Sequence, residues 1–398
     1  MTRIRLAKLG VPNNLAVVLL LFSLSVESFS TAQHKSLITT QTTTTTDTKD
    51  NQPTHSALDK LHQWADDRGI ERKVQVTCDE MAGGGRGLIA TEDIPPNEVV
   101  VKVPLSAAIR LEPTANLDED DQWAGILARK LWEEGQKGTE SFWADYISNL
   151  PKEAPFTPCR WNSHQRSELH DQKFEQQILE NSSWRLRQAQ GQGIPNTGRV
   201  DFLTCLDLVC SRTLKGRDGS RQLVPLMDIA NHAPAEAGGG HFVVDQGAVY
   251  LMAGNRGVSP GEAVTLDYGG RSVQDFLLHY GFVPDRCFSD TISIVTAESL
   301  AEQEVASLSW NDCNGYRGHP DEHVRDVCSL ALSKYPTTLQ DDVRLLEELK
   351  AACPDTQSAR RNHEAQSLAI SYRYAKKSLL TSAVGCAYTA ASSVFSAR

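Results

Sequence analysis

The sequence predicts an α+β protein: a mostly β domain interrupted by a helical insert, followed by an α-helical C-terminal domain. Three observations carry that reading. Between Gly83 and Val103, short apolar runs bounded by Gly, Pro and Asn have the length and punctuation of strands and turns. From about residue 112 to about 206, apolar residues recur at helical spacing instead. Strand signals then return, and after about Asp290 helical spacing takes over again. A strand-rich pattern that stops, admits helices and resumes implies an insertion into one domain.

At the N-terminus, Arg3, Arg5 and Lys8 precede an apolar stretch from Leu15 to Val26. It is too short to span a bilayer comfortably and sits like the core of a signal peptide, so residues 1–27 read as a signal-like segment and no stable membrane anchor is expected. Residues 28–54 are rich in Ser and Thr and poor in acids, with five threonines from Thr42 to Thr46; the composition suits a disordered or transit-peptide-like segment. A signal core followed by Phe29 and a hydroxyl-rich run resembles the bipartite presequences of algae with secondary plastids. Plastid import is the expectation, with the secretory pathway as the alternative.

Folded sequence begins at about residue 55. Leu58, Leu61, Trp64 and Ala65 fall at helical spacing and Gly69 supplies a stop. Gly83 to Gly87 reads as a turn, and Pro95-Pro96-Asn97 as another before a strand from Val99 to Val103. In the helical block, Trp123, Ile126, Leu127 and Leu131 share one face, and Phe174, Ile178 and Leu179 share another. His241 to Ala253 reads as a hairpin turning at Gln246-Gly247, and AVTLDY as a further strand. In the C-terminal region, Thr337 and Gln340 predict a capping box for a helix carrying Val343, Leu346 and Leu349 on one stripe. A last helix carries Leu368, Tyr372, Ala375 and Leu379.

Bulk properties narrow the function classes. A formal net charge of −10 over 398 residues argues against general attraction to nucleic acid or to an anionic membrane surface, so no nucleic-acid partner is expected. The nine cysteines are scattered singly with no CxxC pair, which is neither a zinc-ligand pattern nor a disulfide framework. No metal is expected, and free thiols suit a reducing compartment.

Two polar clusters stand at the ends of apolar runs: Asp228, Asn231 and His232 close LVPLMDIANH, and Asp267 with Tyr268 closes AVTLDY. A histidine so placed is commonly a satisfied core residue, and a terminal tyrosine a half-buried anchor. The Gly269-Gly270 pair that follows suggests a phenol emerging where the strand ends. In GGGRGL (Gly83 to Leu88), glycines let the main chain approach a ligand closely or simply make a turn; no Lys-Ser or Lys-Thr follows and GxGxxG is not met, which argues against a phosphate loop. Ser211 and Arg212 end the amphipathic run DFLTCLDLVCSR; the planar fork of an arginine suits a carboxylate.

Taken in order, GGGRGLIATEDI, SFWADYISNLP, LVPLMDIANH, GEAVTLDYGG, HYGFVPD and YPTTLQDDVRLLEEL resemble the SET-domain protein methyltransferases. The likeness is greatest to the subfamily containing the Rubisco large-subunit lysine methyltransferase and the actin-histidine methyltransferase, from about His55 to about Val384. It implies a pseudoknotted SET domain over residues 55–290 with the insert at about 112–206, then a helical Rubisco-methyltransferase-type substrate-binding domain over 291–398. It implies S-adenosyl-L-methionine as cofactor and a protein side chain as substrate. Methyl transfer is an in-line displacement that needs alignment more than a strong nucleophile. By the same resemblance, Tyr268 is catalytic and Tyr280 is a second aromatic at the target-amine pocket. Gly85, Arg86 and Gly87 meet the cofactor mainly through backbone, Ser211 and Arg212 its carboxylate, Asn231 and His232 its amino group and adenine. Phe282 packs near the adenine or in the core, and Asp228 is a structural acceptor or lines the substrate side. Lysine is the favoured target, in a plastid protein such as the Rubisco large subunit or an aldolase. Histidine methylation, or a non-catalytic SET binding module, is the alternative.

Overall fold

The computed structural model describes residues 55–78, 86–113, 122–153, 155–285, 287, 290–295, 304–311, 315–316, 322–352 and 354–395. The expected signal-like segment, the transit-like segment and residues 83–85 of the glycine turn lie outside the described residues, whereas Arg86 and Gly87 are described.

Helix α1 (His55–Asp67) buries Leu61, Trp64 and Ala65 as its spacing requires. Gly69, at φ +69°, ends it in the left-handed conformation that disfavours other residues. Five short strands follow: β1 (Glu71–Arg72), β2 (Val74–Thr77), β3 (Gly87–Ala90), β4 (Val99–Pro104) and β5 (Ile109–Leu111). The helical block then comprises α2 (Gln122–Gln136), α3 (Ala144–Ser148), α4 (Ser163–Ser167), α5 (Gln172–Gly191) and α6 (Arg199–Arg212), so it runs a few residues beyond its expected end. Strands resume with β6 (Leu214–Lys215), β7 (Arg221–Leu223), β8 (Asn231–His232), β9 (His241–Asp245), β10 (Ala248–Met252) and β11 (Ala263–Leu266). The β9–β10 hairpin turns at Gln246 (φ 46°) and Gly247 (φ 78°), both left-handed as a two-residue hairpin turn requires.

Within the block, Leu127, Leu131, Phe174 and Ile178 are buried as expected. Leu179 is not: it is 43% exposed. Five residues on from Phe174, it stands about 140° around the helix and leaves the packed stripe. Ile126 is likewise turned outward from the face that carries Leu127.

The strands form three small sheets before the C-terminal region, ordered β1-β4-β10-β9, β2-β3-β11-β8 and β5-β7-β6. One pairing positions the site. β8 lies parallel to β11, with Asn231 opposite Thr265 and His232 opposite Leu266, and the β9–β10 hairpin lies in the connection between them. The end of the NH segment is thereby carried to the end of the strand that precedes Tyr268.

After β11 comes α7 (Val273–Asp275), continued by a π-helical turn over Phe276–Tyr280. A Ser272–Asp275 capping box starts it and Gly281, at φ 75°, stops it. A side chain at Gly281 would also press on Pro155 at 3.2 Å.

The expectation of helix directly after Asp290 is corrected. Strands β12 (Thr291–Val295), β13 (Glu304–Asn311) and β14 (Gly315–Tyr316) come first and form an antiparallel sheet. TISIV alternates β-branched and polar residues, which is a strand pattern rather than a helical one. Helices α8 (Glu322–Ser333), α9 (Leu339–Ala351) and α10 (Gln357–Phe395) follow. The capping box of α9 is made by Thr338 and Asp341, one residue beyond the expected pair. Thr337 is otherwise engaged: its hydroxyl donates to Asp342 at 3.0 Å and accepts from Lys377 at 2.7 Å.

Helix α10 is clasped by buried charges. Arg373 pairs with Asp342 at 2.8 Å and Glu168 at 3.3 Å, Lys377 with Asp342 at 2.6 Å, and Lys376 with Asp290 at 3.0 Å. Tyr372 donates to Asp171 at 2.7 Å. These partners come from α9, from the N-terminal end of α5 and from the segment after α7, so α10 holds the end of the α7 segment in place.

Candidate active site

Leu226 holds φ 67°, an uncommon value for a non-glycine residue, and the strained turn it makes leads into Met227–Ile229 and turns Asp228 inward. The carboxylate is fully buried. It accepts the Tyr146 hydroxyl at 2.9 Å and lies 3.8 Å from Arg212 Nη1, while the Asp228 carbonyl accepts from the same guanidinium. Arg212 arrives at the last turn of α6 and Arg86 at the mouth of β3. Burial and the neighbouring Arg212 push the Arg86 guanidinium down to about 10, with Asp228 pulling it back up. Burial pushes the Asp228 carboxyl up, and Arg212, Tyr146 and Arg86 work against it. Two part-buried guanidinium groups thus lie around one buried anion.

That cluster is also incompletely bonded. Arg212 Nε and Asp228 Oδ1 are buried and have no hydrogen-bond partner among the described residues. Orphaned buried polar atoms are costly; other arginines, Arg185 among them, also have an unbonded Nε, and the pair here stands out because it adjoins the NH segment and the tyrosines.

The NH segment closes one side. Asn231 Nδ2 donates to the Arg86 carbonyl at 3.1 Å, tying β8 to the start of β3. Gly87 opens β3, is buried, and pairs with Thr77. His232 Nδ1 lies 3.3 Å from the Tyr268 N–H and 3.4 Å from the Leu266 carbonyl. One tautomer cannot serve both. The Tyr268 N–H has to donate, and the Leu266 carbonyl already accepts from Ala233 at 3.2 Å, so Nδ1 is the acceptor and Nε2 carries the proton. Burial pushes the imidazole below its usual value, which keeps it neutral.

Around His232 stands an aromatic wall. Its ring centroid is 4.7 Å from Phe276, 5.1 Å from Tyr268 and 6.2 Å from Phe282. Tyr268 and Tyr280 stand 5.1 Å apart. The Tyr268 hydroxyl does not emerge at the strand's end as the glycine pair suggested; it turns inward and donates to the Ala230 carbonyl at 2.8 Å. Burial pushes both phenols above their usual value, and Arg271 pulls Tyr280 back.

The structure therefore brings Arg86, Arg212, Asp228, Asn231, His232, Tyr268, Tyr280 and Phe282 into one neighbourhood. Ser211 stands beside Arg212, but its hydroxyl is spent on the Asp207 and Leu208 carbonyls of its own helix, at 2.9 and 3.2 Å. Sequence reasoning assigned no role to Tyr146, Asn149, Phe276 or Arg271. Tyr146 and Asn149 lie in SFWADYISNLP, and the side chain of Arg86 donates to the Asn149 carbonyl. Among the described residues no group of three or more His, Cys, Asp or Glu could hold a metal ion, and no helix is long and apolar enough to cross a membrane.

A small-sheet scaffold with a helical insert, a parallel NH strand and a tyrosine pair is the SET-domain architecture. The crystal structure of the SET domain of LSMT bound to MeLysine and AdoHcy superposes with a TM-score of 0.58, at 18% identity, covering 84% of this chain and 91% of that one. Residues 322–380 match the Rubisco LSMT substrate-binding family, which places α8, α9 and most of α10 in that module. In sequence, the chain is 24% identical to the chloroplastic [fructose-bisphosphate aldolase]-lysine N-methyltransferase of Arabidopsis thaliana, over 72% of this chain and 76% of the relative. It is 25% identical to the actin-histidine N-methyltransferase of Canis lupus familiaris, over 81% of this chain and 68% of the relative.

Proposed function

We propose that this chain is an S-adenosylmethionine-dependent protein methyltransferase acting on lysine. The observation that carries it is the pair of part-buried arginines beside one buried acid, with an orphaned Arg212 Nε, next to two part-buried tyrosines. The residues fit the cofactor. Arg212 would take its carboxylate, whose charge offsets the second guanidinium. Asn231, with the main chain of Gly85, Arg86 and Gly87, would take its amino group, and His232 and Phe282 would flank its adenosyl part. Ser211 would contribute through backbone, its hydroxyl being engaged. Asp228 is read as the buried acceptor that orients Arg212 rather than as a substrate contact.

When bound, S-adenosylmethionine would supply an electrophilic methyl carbon: the neutral amine nitrogen would form the C–N bond as the C–S bond breaks, S-adenosylhomocysteine would be the leaving group, and the methylammonium would give its extra proton to solvent. The chain's own residues supply alignment. The Tyr268 hydroxyl and the Ala230 carbonyl it bonds are fixed polar groups at the end of a dry aromatic wall, and Tyr280 faces them. Holding reactants so placed is worth up to roughly 7 to 11 kcal/mol in favourable cases. Neither tyrosine serves as a base, since burial holds both phenols protonated.

The module at 322–380 would recruit the protein substrate. A lysine in a plastid protein is the favoured target, supported by the chloroplastic aldolase-directed relative and by the signal-plus-transit character of residues 1–54. The test is mass spectrometry of stromal and cytosolic proteins incubated with the purified protein and methyl-labelled cofactor. Label on lysine is expected. Label on histidine moves the target to imidazole, and no label on any protein overturns the reading.

A further inference from the structure

The two phenols of the amine pocket share a cation that the reaction described above does not use. Arg271 follows the Gly269-Gly270 turn. Its Nε–H donates to the Tyr268 carbonyl at 3.2 Å, and its guanidinium lies over the Tyr280 ring, 5.2 Å from the centroid. The Arg271 carbonyl accepts the Cys287 thiol at 3.0 Å, so the backbone is tied from the other side.

Other charged and titratable groups face the pocket from every element around it. They are Arg212 and Cys210 on α6, Asp228 before β8, His232 on β8, Asp267 after β11 and Asp275 on α7. The acids are spent elsewhere. Asp228 serves Arg212 and Tyr146, Asp275 caps Ser272, and Asp267 accepts from the Gly269 and Ala235 N–H groups. Arg271 makes no ion pair with any of them. Among the described residues it is a positive charge without an ion-pair partner, beside the place where, on the function proposed above, the target amine must sit.

We propose that Arg271 sets the protonation state of the incoming amine: its field disfavours the ammonium form and enlarges the reactive neutral fraction. The consequence depends on the target. A lysine of ordinary value near 10.4 is almost wholly ammonium at pH 7 to 8, whereas an imidazole near 6.5 is already mostly neutral. Such a charge therefore helps a lysine substrate and is nearly idle for a histidine one. A like charge held beside the amine and partly screened by solvent should make the ammonium form roughly tenfold less favoured.

The test compares wild type, Arg271→Gln and Arg271→Lys. Lysine methylation of a total stromal extract is followed across pH 6 to 10, each variant first shown to be folded. Removing the positive neighbour raises the amine's pKa, so the acid limb of the Arg271→Gln profile should move up by about one pH unit, with a near tenfold loss at pH 7.5 that shrinks toward pH 10. Arg271→Lys keeps the charge without the fork and should restore the wild-type limb. A second reading needs no turnover: calorimetry of free L-lysine binding to the protein loaded with S-adenosylhomocysteine, run in two buffers. At about pH 10, between the values of the bound and the free amine, wild type should release roughly half a proton per lysine side chain bound, and Arg271→Gln close to none. Superimposable profiles and equal proton release in all three proteins overturn the inference alone. If wild type transfers no methyl to lysine at any pH and binds none, the proposed function falls with it.

Discussion

Two buried ion clusters in this molecule look alike and are bonded very differently. In the clasp around α10, Arg373 and Lys377 face Asp342 and Glu168, two cations to two anions, and none of these side chains is left with an orphaned polar atom. In the cluster between α6 and β3, Asp228 is the one acid beside Arg86 and Arg212 among the described residues, and Arg212 Nε and Asp228 Oδ1 lack partners there. A balanced, fully bonded network serves the fold. Arg160 and Arg185 likewise share Asp207 with Arg185 Nε unbonded, so it is the company of Asn231, His232 and the tyrosine pair, and not the charge shortfall alone, that sets the Arg212 cluster apart. The distinction matters because burial alone marks both equally.

The comparison can be broken from either side, and the clasp should give the largest effect. Arg373→Met leaves Asp342 buried with Lys377 as its sole cation and should cost about 3 to 5 kcal/mol of stability in denaturant unfolding. The affinity of the remaining folded protein for S-adenosylmethionine should be unchanged. At the site the order reverses. Tyr268→Phe keeps the ring in the aromatic wall and removes the hydroxyl, so single-turnover methylation should slow by about a hundred- to a thousandfold, with little change in cofactor affinity. A wild-type rate would make Tyr268 a packing residue and move the chemistry to Tyr280.

How much of this was legible in the sequence follows the same division. The turn at Gln246-Gly247, the β4 strand and the stop at Gly69 were readable because local chemistry decides them. So was the NH–Tyr constellation, through its resemblance to a family. What failed did so where tertiary partners overrode local pattern. Thr337 has the spacing of a cap, yet Asp342 and Lys377 claim its hydroxyl and Thr338 takes over. Leu179 is apolar, but the angular step from Phe174 carries it outward. The strands after Asp290 were missed because strong helical periodicity further on drew the boundary too early. Arg86 was expected to act through its backbone, and nothing in one sequence shows that its guanidinium lies beside Arg212.

Smaller effects sharpen the contrast. Arg212→Met breaks a looser contact, 3.8 Å against 2.8 Å in the clasp, and should cost less than Arg373→Met, about 1 to 3 kcal/mol. Cofactor affinity should fall about tenfold to a hundredfold, the worth of a hydrogen bond to a charged group, measured by calorimetry. Glu364, on the same helix as the clasp, is an acid without such compensation. Burial raises its carboxyl to about 7, with Glu153 adding to the rise and Arg361 opposing it. Its folded value lies above the ordinary value of about 4.3, so the charged form is disfavoured in the folded state. That penalty is full above pH 7, fades as the pH falls through 7, and is gone below about 4. Glu364→Gln should therefore stabilise the protein by about 1 to 2 kcal/mol at pH 8, after allowance for partial exposure, and by nothing near pH 4. A constant difference across that range would mean that Glu364 is solvated.

The most direct measurement is calorimetric titration of the chelator-treated protein with S-adenosylmethionine and with 5′-methylthioadenosine, which lacks the charged amino-acid tail. If the short-charged cluster is the carboxylate site, S-adenosylmethionine should bind at least about tenfold more tightly, and Arg212→Met should erase most of that advantage while leaving the methylthioadenosine affinity unchanged. Equal affinity of the wild-type protein for the two ligands, or an advantage that survives Arg212→Met, would contradict the account.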